Sequence, residues 1–295
     1  MKLKEILEPY RIISIIGMAK NVGKTTVLNH LIESHGSDRL ALTSIGRDGE
    51  DVDVVTHKEK PRIFVPAGTI VITAEGLLRL SQVRYKVLRR TGWTSALGEI
   101  LIIQALSGGR VQIGGPSMTK QLEELMPHLE KFGVDKIYVD GALGRKSLAK
   151  PSIAEACVLC TGAALSPDMD EVVRLSRHAV DILTLPEAKE GDDLDIMPMT
   201  GAVSDEKLRG LIMSGVNISG KTIVADDPSK FFITAKTYEN LKTKGATLAV
   251  KKPINLAAVT INPTSPQDYS FDPADFLTKM QASIDLPVFD LVYRS

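Results

Sequence analysis

The sequence predicts an α/β fold, a mainly parallel sheet flanked by helices, with a smaller C-terminal α/β region. Three observations carry that expectation. Short β-branched runs, beginning with Ile12, Ile13, Ile15 and Ile16, read as strands covered on both faces. They alternate with segments whose apolar residues recur every three or four positions, as in helices with one buried stripe. The first strand and helix are joined by a glycine-bounded loop, and open parallel sheets hold ligands at the carboxyl ends of their strands. The chain has 295 residues, enough for one large domain or two.

The first strand runs into Gly17-Met-Ala-Lys-Asn-Val-Gly-Lys-Thr-Thr26, and the helix after it carries Val27, Leu28, Leu31 and Ile32 on one stripe. Backbone N–H groups at such a helix start favour an anion. Strand, loop and helix together read as a phosphate-binding loop, with Gly17, Asn21, Gly23, Lys24, Thr25 and Thr26 as the nucleotide-binding set. Lys24 is expected to reach the terminal phosphates as a point charge, and the Thr25 hydroxyl to ligate Mg²⁺. Lys20 either touches phosphate or is a solvated loop charge.

Leu40–Ile45 is the second strand. It leads into Gly46-Arg-Asp-Gly-Glu-Asp51, a turn rich in carboxylates at a strand carboxyl end. Asp48 and Glu50 are therefore candidates, with Lys24, for catalytic roles, orienting water or Mg²⁺; the alternative is a plain acidic loop. Residues 62–73 alternate around Gly68 and predict a hairpin or two short strands. A strand pair is expected at Ile100–Leu106 and Arg110–Ile113. Val111–Thr119 is a second strand-to-helix transition with two glycines, either a tight turn or a second anion site. The helix after it shows Leu122, Leu125, Met126 and Leu129, with Pro127 inside and Ser117 or Thr119 as its cap.

Lys136–Asp140 is a strand ending in a carboxylate. Beside a phosphate loop, Asp140 is a candidate Mg²⁺ ligand, direct or through water, of the Walker B kind. Cys157 and Cys160 form C-V-L-C, a spacing that suits a redox pair or half a metal site. The run reads better as a buried strand, where residues three apart face opposite ways. An amphipathic helix is expected around Asp168–Val180 and a strand over Asp181–Leu185. The acidic segment from Pro186 to Asp195 is the best linker candidate, which divides the chain into a nucleotide-binding domain, 1–185, and a C-terminal region, 196–295. One continuous domain is the alternative. The last hundred residues predict helices near Ser204–Met213, Ala235–Lys244 and Pro273–Met280, with strands near Lys221–Val224, Leu256–Ile261 and Leu286–Val292.

The loop form G-x5-G-K-T, with Val22 before Gly23, resembles the dethiobiotin-synthetase-like branch of P-loop NTPases. That resemblance implies bound ATP and Mg²⁺. Its members often act as dimers or partner-dependent switches, so it also implies a homodimer as one option. The branch's signature lysine is absent, since Ala19 stands at its position. The ending, a strand followed by Asn262-Pro, is similar to the close of such proteins and implies that Asn262 contacts the base. The first fifty residues also resemble the small subunits of the reactivase for adenosylcobalamin-dependent lysine 5,6-aminomutase. That resemblance implies an ATP-driven protein partnered by a larger ATPase subunit or by the aminomutase. No D-x-H-x-x-G cobalamin sequence is present, and no N-K-x-D sequence selects guanine, so ATP is expected over GTP.

Composition narrows the function classes. With 36 basic and 36 acidic residues the net charge is zero, so bulk charge implies no nucleic-acid partner. Aromatics make up 5%, too few for a base-stacking surface. No run approaches the ~20 apolar residues of a membrane span, which leads us to expect a cytoplasmic protein with no membrane partner. Two activities remain open: an ATPase that drives a conformational change in a partner, or an ATP-dependent ligase or kinase of a small metabolite. The second would use basic groups such as Arg47, Lys58 or Arg62 on its substrate.

Overall fold

The computed structural model describes residues 2–36, 38–45, 63–116, 118–142, 153–188 and 195–293. The chain begins with α1 (Leu3–Leu7), β1 (Ile12–Gly17), α2 (Lys24–Ser34), β2 (Leu40–Ser44), β3 (Ile63–Val65), β4 (Ile70–Ala74) and α3 (Glu75–Leu78). It continues through β5 (Tyr85–Ser95), β6 (Gly98–Ala105), β7 (Gly109–Val111), α4 (Thr119–Lys131), β8 (Lys136–Ala142), β9 (Ala156–Gly162) and α5 (Met169–Leu183). Then follow β10 (Asp195–Pro198), β11 (Val203–Ser204), α6 (Asp205–Met213), β12 (Lys221–Ala225), β13 (Phe231–Phe232), α7 (Ala235–Thr243) and β14 (Thr247–Val250). The described chain closes with β15 (Leu256–Asn262), α8 (Pro273–Ser283) and β16 (Val288–Asp290).

Nine strands form one sheet in the order β16-β15-β9-β1-β8-β2-β4-β6-β5. The seven from β16 to β4 run parallel, and β6 and β5 join antiparallel. The fold is thus α/β, with a large, mostly parallel sheet between helices. Its two faces bury separate cores. One holds Leu28 and Leu31 of α2 with Leu3 and Leu7 of α1. The other holds Leu122 of α4, Val172 of α5 and Phe276 of α8. Strand β1 lies in the middle, so its side chains alternate between them: Ile13 and Ile15 to the first, Ile16 to the second. The cysteines of β9 divide the same way, Cys157 to one core and Cys160 to the other, so C-V-L-C is a buried strand segment. Burial pushes both thiols up to about 12, and neither is a thiolate at neutral pH.

A second, three-stranded parallel sheet, β10-β12-β14, carries a third core that includes Leu208 of α6 and Leu241 of α7. The region after the expected linker is therefore shared between the sheets: residues 195–250 build the small one, while β15 and β16 return to the large one. Residues 189–194 of that linker lie outside the described residues.

Several expected elements take another form. Asp181–Leu185 is not a strand, because α5 runs on to Leu183, with Ala179, Val180, Ile182 and Leu183 continuing its buried stripe. Five apolar-rich residues fit either period, and the preceding helix decided the outcome. β3 and β4 are two short strands, but β3 pairs with β7, and β4 pairs with β2 and β6. β6 and β7 likewise do not pair with each other. β5, β10 and β14 were not anticipated. Most of β5 is exposed, so it lacks the apolar alternation that marks a strand. The first residue of α4 is Thr119, Met118 takes the cap position, and Ser117 lies outside the described residues. Among the described residues, no helix is long and apolar enough to cross a membrane.

Candidate functional site

The carboxyl ends of β15, β9, β1, β8 and β2 lie side by side, and the loop 18–23 rises from the central one. Two residues give it its curl. Asn21 has φ 63° and Gly23 has φ 90°, both in the left-handed region. Gly23 is also the residue before α2, and no side chain caps that helix. The first helical N–H groups are thus left to whatever occupies the loop.

Gly17 is small for a definite reason. A Cβ there would lie 2.8 Å from Lys24 Cδ, from Lys24 Nζ and from Val22 Cγ2. The Lys24 side chain therefore folds back across the loop onto Gly17, and its Nζ donates to the Ala19 carbonyl at 3.3 Å. A half-buried ammonium held by one loop carbonyl keeps donor capacity for an anion. Thr25, the next helical residue, is half-buried, while Lys20, Asn21 and Thr26 are exposed.

Strand β8 brings in Asp140. It pairs in parallel with β1, with Ile15 opposite Asp140, so the carboxylate stands two residues before the end of the strand adjacent to the loop strand. Its Oδ1 is buried and has no hydrogen-bond partner among the described residues. Burial pushes the carboxyl above its ordinary value, while the charge of Lys24 and the Gly141 amide pull it back. Lys24 and Asp140 therefore sense each other electrostatically, and no described residue pairs with Oδ1.

Two neighbouring strands hold the loop. The Met18 amide donates to Cys160 O of β9 at 2.9 Å. Asn262, at the end of β15, donates from Nδ2 to Asn21 O at 2.8 Å and accepts from the Thr264 amide at Oδ1, 3.1 Å. Asn262 is thus brought to the loop itself. Nothing in its local sequence signals this, because the bond joins residues 241 apart.

The second glycine turn is different. The Gly114 amide donates to Thr73 Oγ1 and the Gly115 amide to Ser44 Oγ, both at 3.1 Å. Any Cβ on Gly115 would collide with Ser44 O. This turn is packed against the end of β2, and its amides are spent on the protein. Asp48, Glu50 and Asp51, the basic Arg47, Lys58 and Arg62, and the linker residues 189–194 lie outside the described residues.

The site thus brings together Gly17, Asn21, Gly23, Lys24, Thr25 and Asn262 around the start of α2, with Asp140 on the adjacent strand. Chemically it offers a cationic donor, a row of helix-start amides, a hydroxyl and a carboxylate with a spare oxygen. Comparison with protein-family models, with curated proteins and with solved structures finds no match to this chain.

Proposed function

We propose that the chain binds Mg-ATP at residues 17–26 and hydrolyses it to drive a conformational change in a partner protein. The observation that carries this reading is the buried Oδ1 of Asp140, without a partner among the described residues and electrostatically coupled to Lys24 from the strand beside the loop. A buried polar atom without a partner is costly, and a ligand that pairs with it repays the cost. A divalent cation is the natural complement of such a carboxylate.

The residues fit the group. Lys24 would neutralise terminal phosphate oxygens, and the amides at the start of α2 would donate to them. The Thr25 hydroxyl and the Asp140 carboxylate would hold Mg²⁺, which when bound would offset charge on the transferring phosphate. Asp48 and Glu50 would orient the attacking water from the segment after β2. ATP is preferred to GTP because the N-K-x-D sequence is missing. The partner, a larger ATPase subunit or an adenosylcobalamin-dependent aminomutase, is drawn from the resemblance of the first fifty residues.

The test is ATP turnover measured alone, with candidate partner proteins and with candidate metabolites. A rate that rises only with a protein supports the switch. Stoichiometric phosphorylation or ligation of a metabolite replaces it with the ligase or kinase reading. No ATP binding in the wild-type chain overturns both.

A further inference from the structure

We infer that Asn262 is a positioning residue, which presets the phosphate loop for an anion and does not read the nucleotide base. This rests on the nucleotide reading above, and its test separates the two. The carboxamide is bound at both ends to groups of opposite type. Asn21 O can only accept, so it requires the Nδ2 end; the Thr264 N–H can only donate, so it requires the Oδ1 end. The two partners fix the orientation of the amide, and each end already spends one of its two bonding positions on the protein.

The packing points the same way. A Cβ on Gly23 would sit 3.4 Å from Asn262 Cβ, so the side chain lies directly against the loop's last glycine. Gly162, at the end of β9, has no room for a Cβ because the Asn262 backbone presses on it. The loop is thus tied at its base by the Met18-to-Cys160 bond and near its apex by Asn262. The tied residue, Asn21, is one of two described non-glycine residues with positive φ. Such a conformation persists only where neighbours hold it. Asn262 supplies that hold from β15, and with it the left-handed turn that leads into α2 is set before any ligand arrives.

A positioning role predicts which ligands feel its loss. Binding of ATP and of inorganic tripolyphosphate, which has no base, is measured on the wild type and on Asn262→Ala by calorimetry. The loop brace predicts that both affinities fall by the same factor, about three- to tenfold for one neutral hydrogen bond. Amide exchange at residues 21–24 of the free variant should quicken as well. A loss for ATP with tripolyphosphate unchanged would overturn the brace and return Asn262 to a base contact. Unchanged exchange at residues 21–24 would also overturn it. If the alanine variant does not fold, Asn262→Ser, too short to reach Asn21, gives the same comparison. If the wild type binds neither ligand, the nucleotide reading falls on its own, and the exchange measurement still decides the brace.

Discussion

The nine-stranded and three-stranded sheets of this molecule are built alike and end differently. Both place parallel strands side by side with helices as crossovers. In the small sheet the strand carboxyl ends are closed by the protein. Beyond β10 and β12 the chain adds a separate two-stranded sheet, β11-β13; at its ends Ser204 caps α6 by accepting from the Lys207 amide, and Thr234 caps α7 by accepting from the Thr237 amide. After β12, Asp227 accepts from the Ser229 amide at 2.9 Å, and Asp226 pairs with Lys251 at 3.0 Å. In the large sheet, α2 begins on a left-handed glycine with no side-chain cap, a lysine folds across its start, and a neighbouring carboxylate oxygen has no partner among the described residues. One architecture yields a closed edge or an open one according to what fills a few loop positions.

The sharpest way to break the comparison is at Lys24. Lys24→Ala should weaken ATP binding by about a hundredfold, the cost of a lost charged contact to phosphate. The melting temperature should stay near that of the wild type, since among the described residues Lys24 Nζ donates only to the Ala19 carbonyl. Lys207→Ala in the small sheet, whose Nζ donates to Thr200 O at 2.6 Å, should leave ATP affinity unchanged. Calorimetric titration of both variants checks the pair. Equal behaviour would mean the two edges are not functionally distinct.

The next effect comes from shape. In Gly17→Ala the new methyl occupies the place of the Lys24 chain end and of Val22 Cγ2. A flexible lysine can move and a packed valine less so; overpacking of this kind costs about 1–3 kcal/mol. Most of the loss should fall on ATP affinity, at about tenfold. A variant that binds as the wild type does would show that the folded-back lysine is unimportant.

How much of this could be read beforehand depends on how local the cause is. The strand, loop and helix at residues 12–34 were readable because β-branched residues, glycines and a 3.6-residue stripe follow one another in the chain. The strand that carries Asp140 was readable too, but it runs two residues past the carboxylate, to Ala142. The end of α5 was misread because Ile182, Leu183 and Leu185 suit a strand as well as a helix when taken alone. Strand β5 was invisible because an edge strand needs no apolar face; its register comes from β6. The brace from Asn262 could not be read at all, since only the sheet order brings β15 within reach of the loop.

Asp140 links the comparison to pH. Its carboxyl in the folded chain holds a proton above the ordinary value of 3.8. The folded state then binds more protons than the unfolded state between those two values, so stability falls as pH rises through that window. The contribution is full below 3.8 and lost above the raised value. Asp140→Asn should remove that slope and raise the stability of the ligand-free chain at pH 7 by about 1 kcal/mol. The same variant should lose the part of its ATP affinity that depends on Mg²⁺. Denaturant melts at several pH values and titrations with and without Mg²⁺ measure the two effects. A destabilised Asp140→Asn protein would show that the carboxylate serves the fold.

The smallest expected change is in the small sheet, where caps stand in for the open helix start of α2. Thr234 accepts from the Thr237 amide at 3.3 Å and also donates to the Thr237 hydroxyl at 3.2 Å. Thr234→Ala leaves the first turn of α7 without its partner and should cost about 1 kcal/mol. The loss belongs to a core shared by Leu241, Ile223 and Phe231, so it should appear as faster amide exchange across residues 221–250. The loop at residues 18–23 lies in the other sheet and should exchange as before, with ATP affinity unchanged. Exchange that quickens in both places would join the sheets into one cooperative unit. A capped edge and an open edge would then answer to the same stability, and the difference between them would be chemical only.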